Sequence, residues 1–213
     1  FLSAALNRRN EHSEDTRGDD YQDLSRKINL FSANASGHFK DAELSFSYNQ
    51  SAPGITQMLD VRDDSNPLSI SLGNPDLKNI YNFSTGLSYN HNSAEKQSSW
   101  HIGVDYNRGS AIGNATIYNR ETGVYTYQPR NVDGNWGTSV NTYFNTPLDP
   151  KKRLTFNNSL SANYNRSVDF SGDNPAADFD HLPLSKVHNY SVGDWMSMEY
   201  RYEEYSVSAN AEA

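Results

Sequence analysis

The sequence predicts an all-β chain, an antiparallel up-and-down sheet of the kind that forms a transmembrane β-barrel. Three observations lead to this prediction. Apolar and polar residues alternate along the candidate strands, the connections alternate between short and long, and aromatic residues make up 12% of a chain whose mean hydropathy is only -0.82. A barrel with a wet interior has such a composition because only one face of each strand is apolar.

The strand assignment depends on a period of two residues. One face of 81–89 carries Tyr81, Phe83, Thr85, Leu87 and Tyr89, and the other carries only Asn, Ser and Gly. Side chains alternate across a strand, so this pattern gives one apolar and one polar face. The pattern recurs at 42–48, 100–106 and 154–164, and more weakly at 31–39, 136–145, 195–202 and 205–213. No stretch has a convincing helical period.

The connections indicate how the strands are arranged. Short charged connections at 39–41, 93–98, 147–153 and 201–204 alternate with long ones at 50–79, 108–135 and 166–190. Short periplasmic turns and long extracellular loops are typical of outer-membrane barrels. We therefore expect about eight strands, with a further candidate at 1–6. The pattern is cut at both ends and has no signal peptide, so we expect 1–213 to be a single fragment of a larger barrel, without a plug domain.

Composition excludes several classes of protein. The net charge is -8 and the pI is near 5.1, so nucleic acid is not an expected partner. The absence of cysteine excludes disulfides, thiolate zinc sites and cysteine nucleophiles. His91 and His101 flank one short turn, but strand parity sends them to opposite faces, so no shared metal is expected. We expect no cofactor and no enzymatic activity.

Aromatic residues cluster beside the short turns. We interpret six of them as one girdle at the membrane interface: Tyr89, Trp100, Phe144, Phe156, Tyr200 and Tyr205. The alternative is that tyrosine and phenylalanine simply favour strands.

The long connections carry the candidate ligand-binding residues. Tyr118, Tyr125, Tyr127 and Trp136 would stack on a sugar or peptide, or else pack at strand ends. Asp60, Asp63 and Asp64 form an acidic group that would suit calcium, although an ordinary solvated loop explains it as well. Carboxylates for acid–base work on sugars would come from Asp169, Asp173, Asp178 and Asp180, but no apolar pocket is visible around them.

Two stretches resemble a known family. The first is Gly73-Asn74-Pro75-Asp76-Leu77-Lys78 within 66–78, ahead of the strand at Tyr81; it resembles a loop-to-strand segment of TonB-dependent receptors, with Asn79-Ile80 where that family often has Pro-Glu. The second is Gly134-Asn135-Trp136, then Phe144-Asn145-Thr146-Pro147-Leu148-Asp149, then Lys151-Lys152-Arg153; it is similar to an outer-membrane β-barrel family common in Bacteroidota. The resemblance covers roughly 30–213.

The resemblance implies a receptor or transporter in the bacterial outer membrane, with a barrel of about 22 strands in the intact protein. The implied partners are outer-membrane lipid, the rest of the barrel, a plug domain, an energy-transducing TonB-type protein and a surface lipoprotein. Two other interpretations remain open from the residues alone. One is a secreted or surface β-sandwich that binds glycans as an adhesion module. The other is an enzymatic barrel with the loop carboxylates named above.

Overall fold

The computed structural model describes residues 1–17, 20–171 and 178–213, with side chains outside 15–22. Within these residues long strands dominate, and they are joined by turns and by one segment that contains a helical turn and two short strands. In chain order the elements are β1 (Leu2–Arg17), β2 (Asp20–Phe39), β3 (Ala42–Ser51), α1 (Ile55–Met58), β4 (Arg62–Asn66), β5 (Ser69–Leu72), β6 (Ile80–Ser93), β7 (Ser98–Asn119), β8 (Val124–Pro147), β9 (Leu154–Phe170), β10 (Leu184–Tyr202) and β11 (Tyr205–Glu212).

The long strands form one antiparallel sheet in the order β1-β2-β3-β6-β7-β8-β9-β10-β11. Each long strand pairs with the long strands before and after it in the chain, so the predicted up-and-down sheet is confirmed. The candidate strand at 1–6 is also present, as the first part of β1. The described residues contain no helix long and apolar enough to span a membrane.

The register aligns the apolar positions on one side. Leu44 pairs with Leu87, Leu87 with Val104, and Val104 with Val140, and the row continues through Ala162 to Val192. Since parity is kept across these strand pairs as far as Gly109 of β7, one side of this part of the sheet is apolar, and we call it the outward face. The opposite, polar side is the inward face.

No second sheet covers the outward face within the described residues. Leu44 is 55% exposed and Val192 is 71% exposed. In a β-sandwich these side chains would be buried against a facing sheet. The sandwich interpretation is therefore wrong for this chain.

The predicted short turns are confirmed. They connect β2 to β3, β6 to β7, β8 to β9, and β10 to β11, and all lie at the same end of the sheet, called the turn end. Each contains a non-glycine residue with positive φ: Lys40, Gln97, Lys152 and Glu203. That backbone region reverses the chain tightly.

The opposite end, called the rim, differs from the prediction of long loops. The connection expected at 108–135 is a hairpin: β7 and β8 remain paired as far as Asn119 and Val124. Ser110 faces both Asp133 and Gly134, a bulge in which Gly134 has φ of 102°. Pro129 fits because β8 lies here beyond its pairing with β9, which ends at Trp136.

The connection at 52–79 is long, as predicted, but it is structured, and we call it the strap. It contains α1, although no helical stretch was expected, and also β4 and β5. β5 pairs in parallel with β8, Ser69 lying opposite Tyr125. The strap thus reaches from the end of β3 to the extended hairpin. The third long connection shrinks to 171–183, since β9 ends at Phe170 and β10 begins at Leu184.

Candidate functional site

The turn end of the outward face carries the row of aromatic residues predicted as a girdle. The Tyr89 and Trp100 rings are 4.8 Å apart, and those of Phe144 and Phe156 are 6.4 Å apart. Tyr200 and Tyr205 lie on the same face, two residues out of register with each other, since Tyr205 pairs with Tyr202 and Tyr200 with Val207. The six residues therefore share one face and one end of the sheet, and we call them the turn-end row.

A second aromatic row crosses the outward face nearer the rim, and sequence reasoning missed it. Ring contacts run from Tyr106 to Trp136 at 6.1 Å, to Tyr164 at 4.5 Å and to Tyr190 at 4.9 Å. On the other side the row continues through Phe83, Phe46, Tyr81, Tyr48 and Phe31. Trp136, expected as a loop aromatic, belongs to this rim-end row. The sequence does contain a signal for this row. An aromatic residue lies eight positions along the same strand from a turn-end aromatic, as Trp136 does from Phe144.

The inward face is lined with small polar groups. Gly86 leaves room for the Asp105 carboxylate, and a Cβ at Gly103 would collide with the Asn141 amide. His101 lies 2.7 Å from Asn90 and 2.9 Å from Asn141 through its two ring nitrogens. His91 instead contacts Trp100 on the outward face, as strand parity predicted. Among the described residues, no group of three metal-ligating side chains comes together.

The strap is fixed to strands on both sides of it. On β2, the Arg26 guanidinium donates to the Pro53 carbonyl and is held by Glu11. On β8, the Asn131 amide accepts a hydrogen bond from the Lys78 backbone N–H at 2.8 Å and donates to the Lys78 carbonyl at 2.9 Å. An amide that satisfies both backbone groups of one residue substitutes for a strand neighbour.

The strap, the hairpin and the neighbouring rim segments bury a small apolar core. Seven apolar residues are buried in the described structure: Ile28, Leu59, Leu77, Ala115, Val132, Val168 and Leu182. All lie beyond the rim-end row. The rim is therefore packed like part of a water-soluble protein, whereas the outward face below it is not.

Three candidate tyrosines lie at the tip of the hairpin. Tyr118 and Tyr125 are cross-strand partners with rings 4.6 Å apart, and Tyr127 stacks beside Tyr125 at 6.2 Å. All three are strand residues. Tyr118 lies twelve residues along β7 from Tyr106 of the rim-end row, a distance of about 40 Å at the usual rise per residue. They form an aromatic surface at the end of the hairpin, well separated from the rim-end row.

Two of the acidic candidates in the strap have different partners. Asp64 pairs with Arg62 at 3.2 Å, and Asp63 accepts the backbone N–H of Ser65. Asp60, in the preceding bend of the strap, has an exposed side chain.

The proposed catalytic carboxylates also have separate partners. Asp180 pairs with Arg130 at 2.7 Å, and Asp169 accepts the backbone N–H of Phe170. A hydrogen bond from His181 lowers the pKa of Asp178 below its usual range. Asp173 lies outside the described residues. The separate partners of Asp178 and Asp180 suit structural roles better than a shared acid–base site.

A groove of about 460 Å³ opens between the strap, β8 and the 178–184 segment. Phe170, Phe179 and Leu182 give it an apolar wall. Lys78 and Asp180 also line it, and Asp180 is held by Arg130, whose guanidinium lies 5.7 Å from the centroid of the Phe179 ring. Apolar walls and a few directed polar groups are typical of ligand sites, so this groove is a candidate ligand site at the rim.

One polar pair interrupts the outward face. The Asn158 amide donates to the Asp194 carboxylate at 2.6 Å and to the Trp195 carbonyl at 3.2 Å. Asp194 lies between Val192 and Met196 on the outward side of β10. Among the described strands it is the only ionisable side chain on that face between the two aromatic rows.

These features define a class of protein: a wall of long antiparallel strands with one lipid-compatible face, one polar face and an elaborate rim. Residues 9–201 match the model of the Outer membrane protein beta-barrel family, and the chain belongs to that family. Its place is the bacterial outer membrane, in contact with membrane lipid, and the family is typically non-enzymatic. No curated protein matches the chain.

Proposed function

We propose that this chain is the wall segment of an outer-membrane receptor or transporter of the TonB-dependent kind, with a rim that selects ligand. The outward face contacts lipid, the inward face borders a lumen or a plug domain, and the strap and hairpin form the extracellular mouth. The observation that carries the proposal is the contrast along single strands. β7 and β8 have exposed apolar side chains between the aromatic rows and a buried core beyond them.

The spacing of the aromatic rows supports this placement. Trp136 and Phe144, like Tyr164 and Phe156, are eight residues apart, which is about 27 Å of strand. At a strand tilt of about 40° the separation across the membrane is about 21 Å, close to the apolar band of about 25 Å in such barrels. We assign the turn-end row to the periplasmic interface and the rim-end row to the outer interface.

The edges of the sheet support a larger barrel. In the described structure β1 and β11 each pair on one side only. Lipid cannot satisfy an open strand edge, so closure requires further strands. We infer that 1–213 forms one stretch of the wall and that the plug and any energy-transducing TonB-type protein or surface lipoprotein act on the complete gene product.

The first test is the behaviour of the complete gene product in cells. It is expected to fractionate with the outer membrane and to migrate faster on a gel before heating than after heating. A secreted or cytoplasmic product without a heat-dependent shift would contradict the wall assignment.

The second test concerns ligand selection. Ile112 and Asn131 are paired partners, so a two-residue turn between them can replace 113–130 without disturbing the lower strands. A gene deletion is first screened for lost uptake among iron chelates, oligosaccharides and peptides, and the shortened hairpin is then returned to that strain. The shortened variant is expected to show a normal heat-dependent gel shift and no uptake. Uptake by the unshortened protein is expected to stop when the proton gradient is dissipated. Normal uptake by the shortened variant would remove the hairpin from the selecting surface.

A further inference from the structure

The outward face is apolar between its two aromatic rows except near Asp194 and Asn158. Asp194 is four residues from Tyr190 and six from Tyr200, so it lies inside the lipid-facing region if the rows mark the interfaces. Intramembrane carboxylates are costly, and they usually face a protein partner or a wet cavity rather than lipid tails. The position therefore requires an explanation that general barrel construction does not supply.

The hydrogen bonds of Asn158 and Asp194 show which of their oxygen atoms have no donor. The Asn158 amide donates both of its N–H groups, to Asp194 and to the Trp195 carbonyl. Two acceptor atoms take no part in these hydrogen bonds: Asn158 Oδ1 and the second carboxylate oxygen of Asp194. No donor within the described residues reaches either oxygen. The site is complementary to a cation or another donor.

Three alanines lie near this pair. Ala162 on β9 and Ala209 and Ala211 on β11 lie on the same face, at the pairing positions of Val192, Met198 and Met196. Small side chains allow close approach of another membrane segment. The aliphatic stem of a lysine or arginine packs well along such a surface while its charged end reaches a carboxylate.

We propose that the patch formed by Asn158, Ala162, Asp194, Ala209 and Ala211 docks a separate membrane-embedded polypeptide that presents a lysine or arginine to Asp194. A second copy of this chain fits poorly, because the described outward face carries no lysine or arginine between the two aromatic rows. The inference rests on the proposed lipid-facing placement of the outward face.

The test uses the complete gene product in its native outer membrane, with a photo-crosslinking phenylalanine analogue at Met196. Leu44, on the same face of β3 and remote from the patch, is the matched control position. We expect one discrete protein adduct from Met196 and none from Leu44. Mass spectrometry should place the attachment within a membrane-spanning segment of a different protein, next to a lysine or arginine.

The Asp194 carboxylate is tested in the same background. Asp194→Asn preserves shape and is expected to reduce the adduct at least tenfold, while Asp194→Glu retains it. Both variants are checked for the heat-dependent gel shift, so a folding failure is seen directly.

The outcomes separate the two proposals. If the gel shift is normal, the docking proposal is overturned by any of four results: no protein adduct, an adduct with a second copy, an adduct within the same polypeptide, or an adduct indifferent to Asp194→Asn. If the unmodified gene product lacks the gel shift, the membrane placement itself fails.

Discussion

The same strands behave differently in the region between the aromatic rows and in the rim. Between the rows, Leu87 is 54% exposed and no described element covers it. In the rim, Ala115 is fully buried and Val132 is 2% exposed, because the strap and its neighbours pack there. Both regions are paired sheet, yet only the rim has a core of its own. The apolar side chains between the rows need lipid as their partner, whereas those of the rim are buried by the protein itself.

The largest expected effect comes from placing a charge on the lipid side. Leu87→Lys should destabilise the folded wall by about 2–4 kcal/mol, the usual cost near the bilayer midplane. The measurement is the urea midpoint of the complete gene product in lipid vesicles, followed by the heat-dependent gel shift.

Ser88→Lys is the matched control, since its side chain points inward and pairs across from Glu43. It should leave the midpoint nearly unchanged. Equal destabilisation by the two variants would mean that the two faces are not distinguished by lipid.

A smaller effect is expected in the rim. A Cβ at Gly73 would overlap the Leu59 carbonyl oxygen, which is backbone and has little freedom to move. Overpacking of this kind costs about 1–3 kcal/mol. Gly73→Ala should therefore increase proteolysis of the strap in intact cells by about tenfold, since each 1.4 kcal/mol is a factor of ten.

Gly37→Ala provides the comparison for this variant, because a Cβ at Gly37 meets nothing within 4 Å. It should leave protease sensitivity unchanged. The gel shift should be normal in both variants, and loss of the shift in Gly73→Ala would show that strap and wall fold as one unit.

The smallest expected effect is a pH dependence at the turn end. Backbone N–H groups of Leu154, Arg153 and Lys151 donate to the Asp149 carboxylate and lower its pKa below the ordinary value. The stabilisation is complete above the unfolded pKa, near 3.9, and is lost as the pH falls through the lowered folded pKa.

Urea midpoints of the wild type and Asp149→Asn, measured between pH 7 and pH 2, check this effect. The wild type should lose stability toward low pH by more than the variant, because the neutral amide of the variant has no proton to gain. Parallel pH curves for the two proteins would rule out a contribution from this carboxylate.

The sequence predicted the region between the rows well, because the structure there follows from the order of residues along each strand. Alternation from Tyr81 to Tyr89 determines the face of every side chain, and the register follows once neighbouring strands align their apolar positions. The turn-end aromatics were found for the same reason. Their interface role remains a proposal, as does ligand contact by Tyr118, Tyr125 and Tyr127.

The rim was poorly predicted, because its structure depends on contacts between residues far apart in the sequence. The stretch 108–135 was expected to be a long loop, but strand pairing continues past Gly113, Pro129 and Gly134. The strap is held by contacts such as Asn131 with Lys78, more than fifty positions apart, which no short pattern encodes. The groove arises where this packing brings together the strap, β8, the end of β9 and the 178–184 segment.

The bulge at Asp133 and Gly134 has a consequence for how such a protein can change over time. One extra residue on β8 exchanges odd and even positions, so Tyr125 above it and Trp136 below it lie on the same side of the sheet. Below the bulge the alternation of β8 is set by its pairing with β7 and β9, so residues can be gained or lost in the hairpin above without changing it. Under the proposed function, selection can thus rebuild the rim for a new ligand while the part in contact with lipid keeps its pattern.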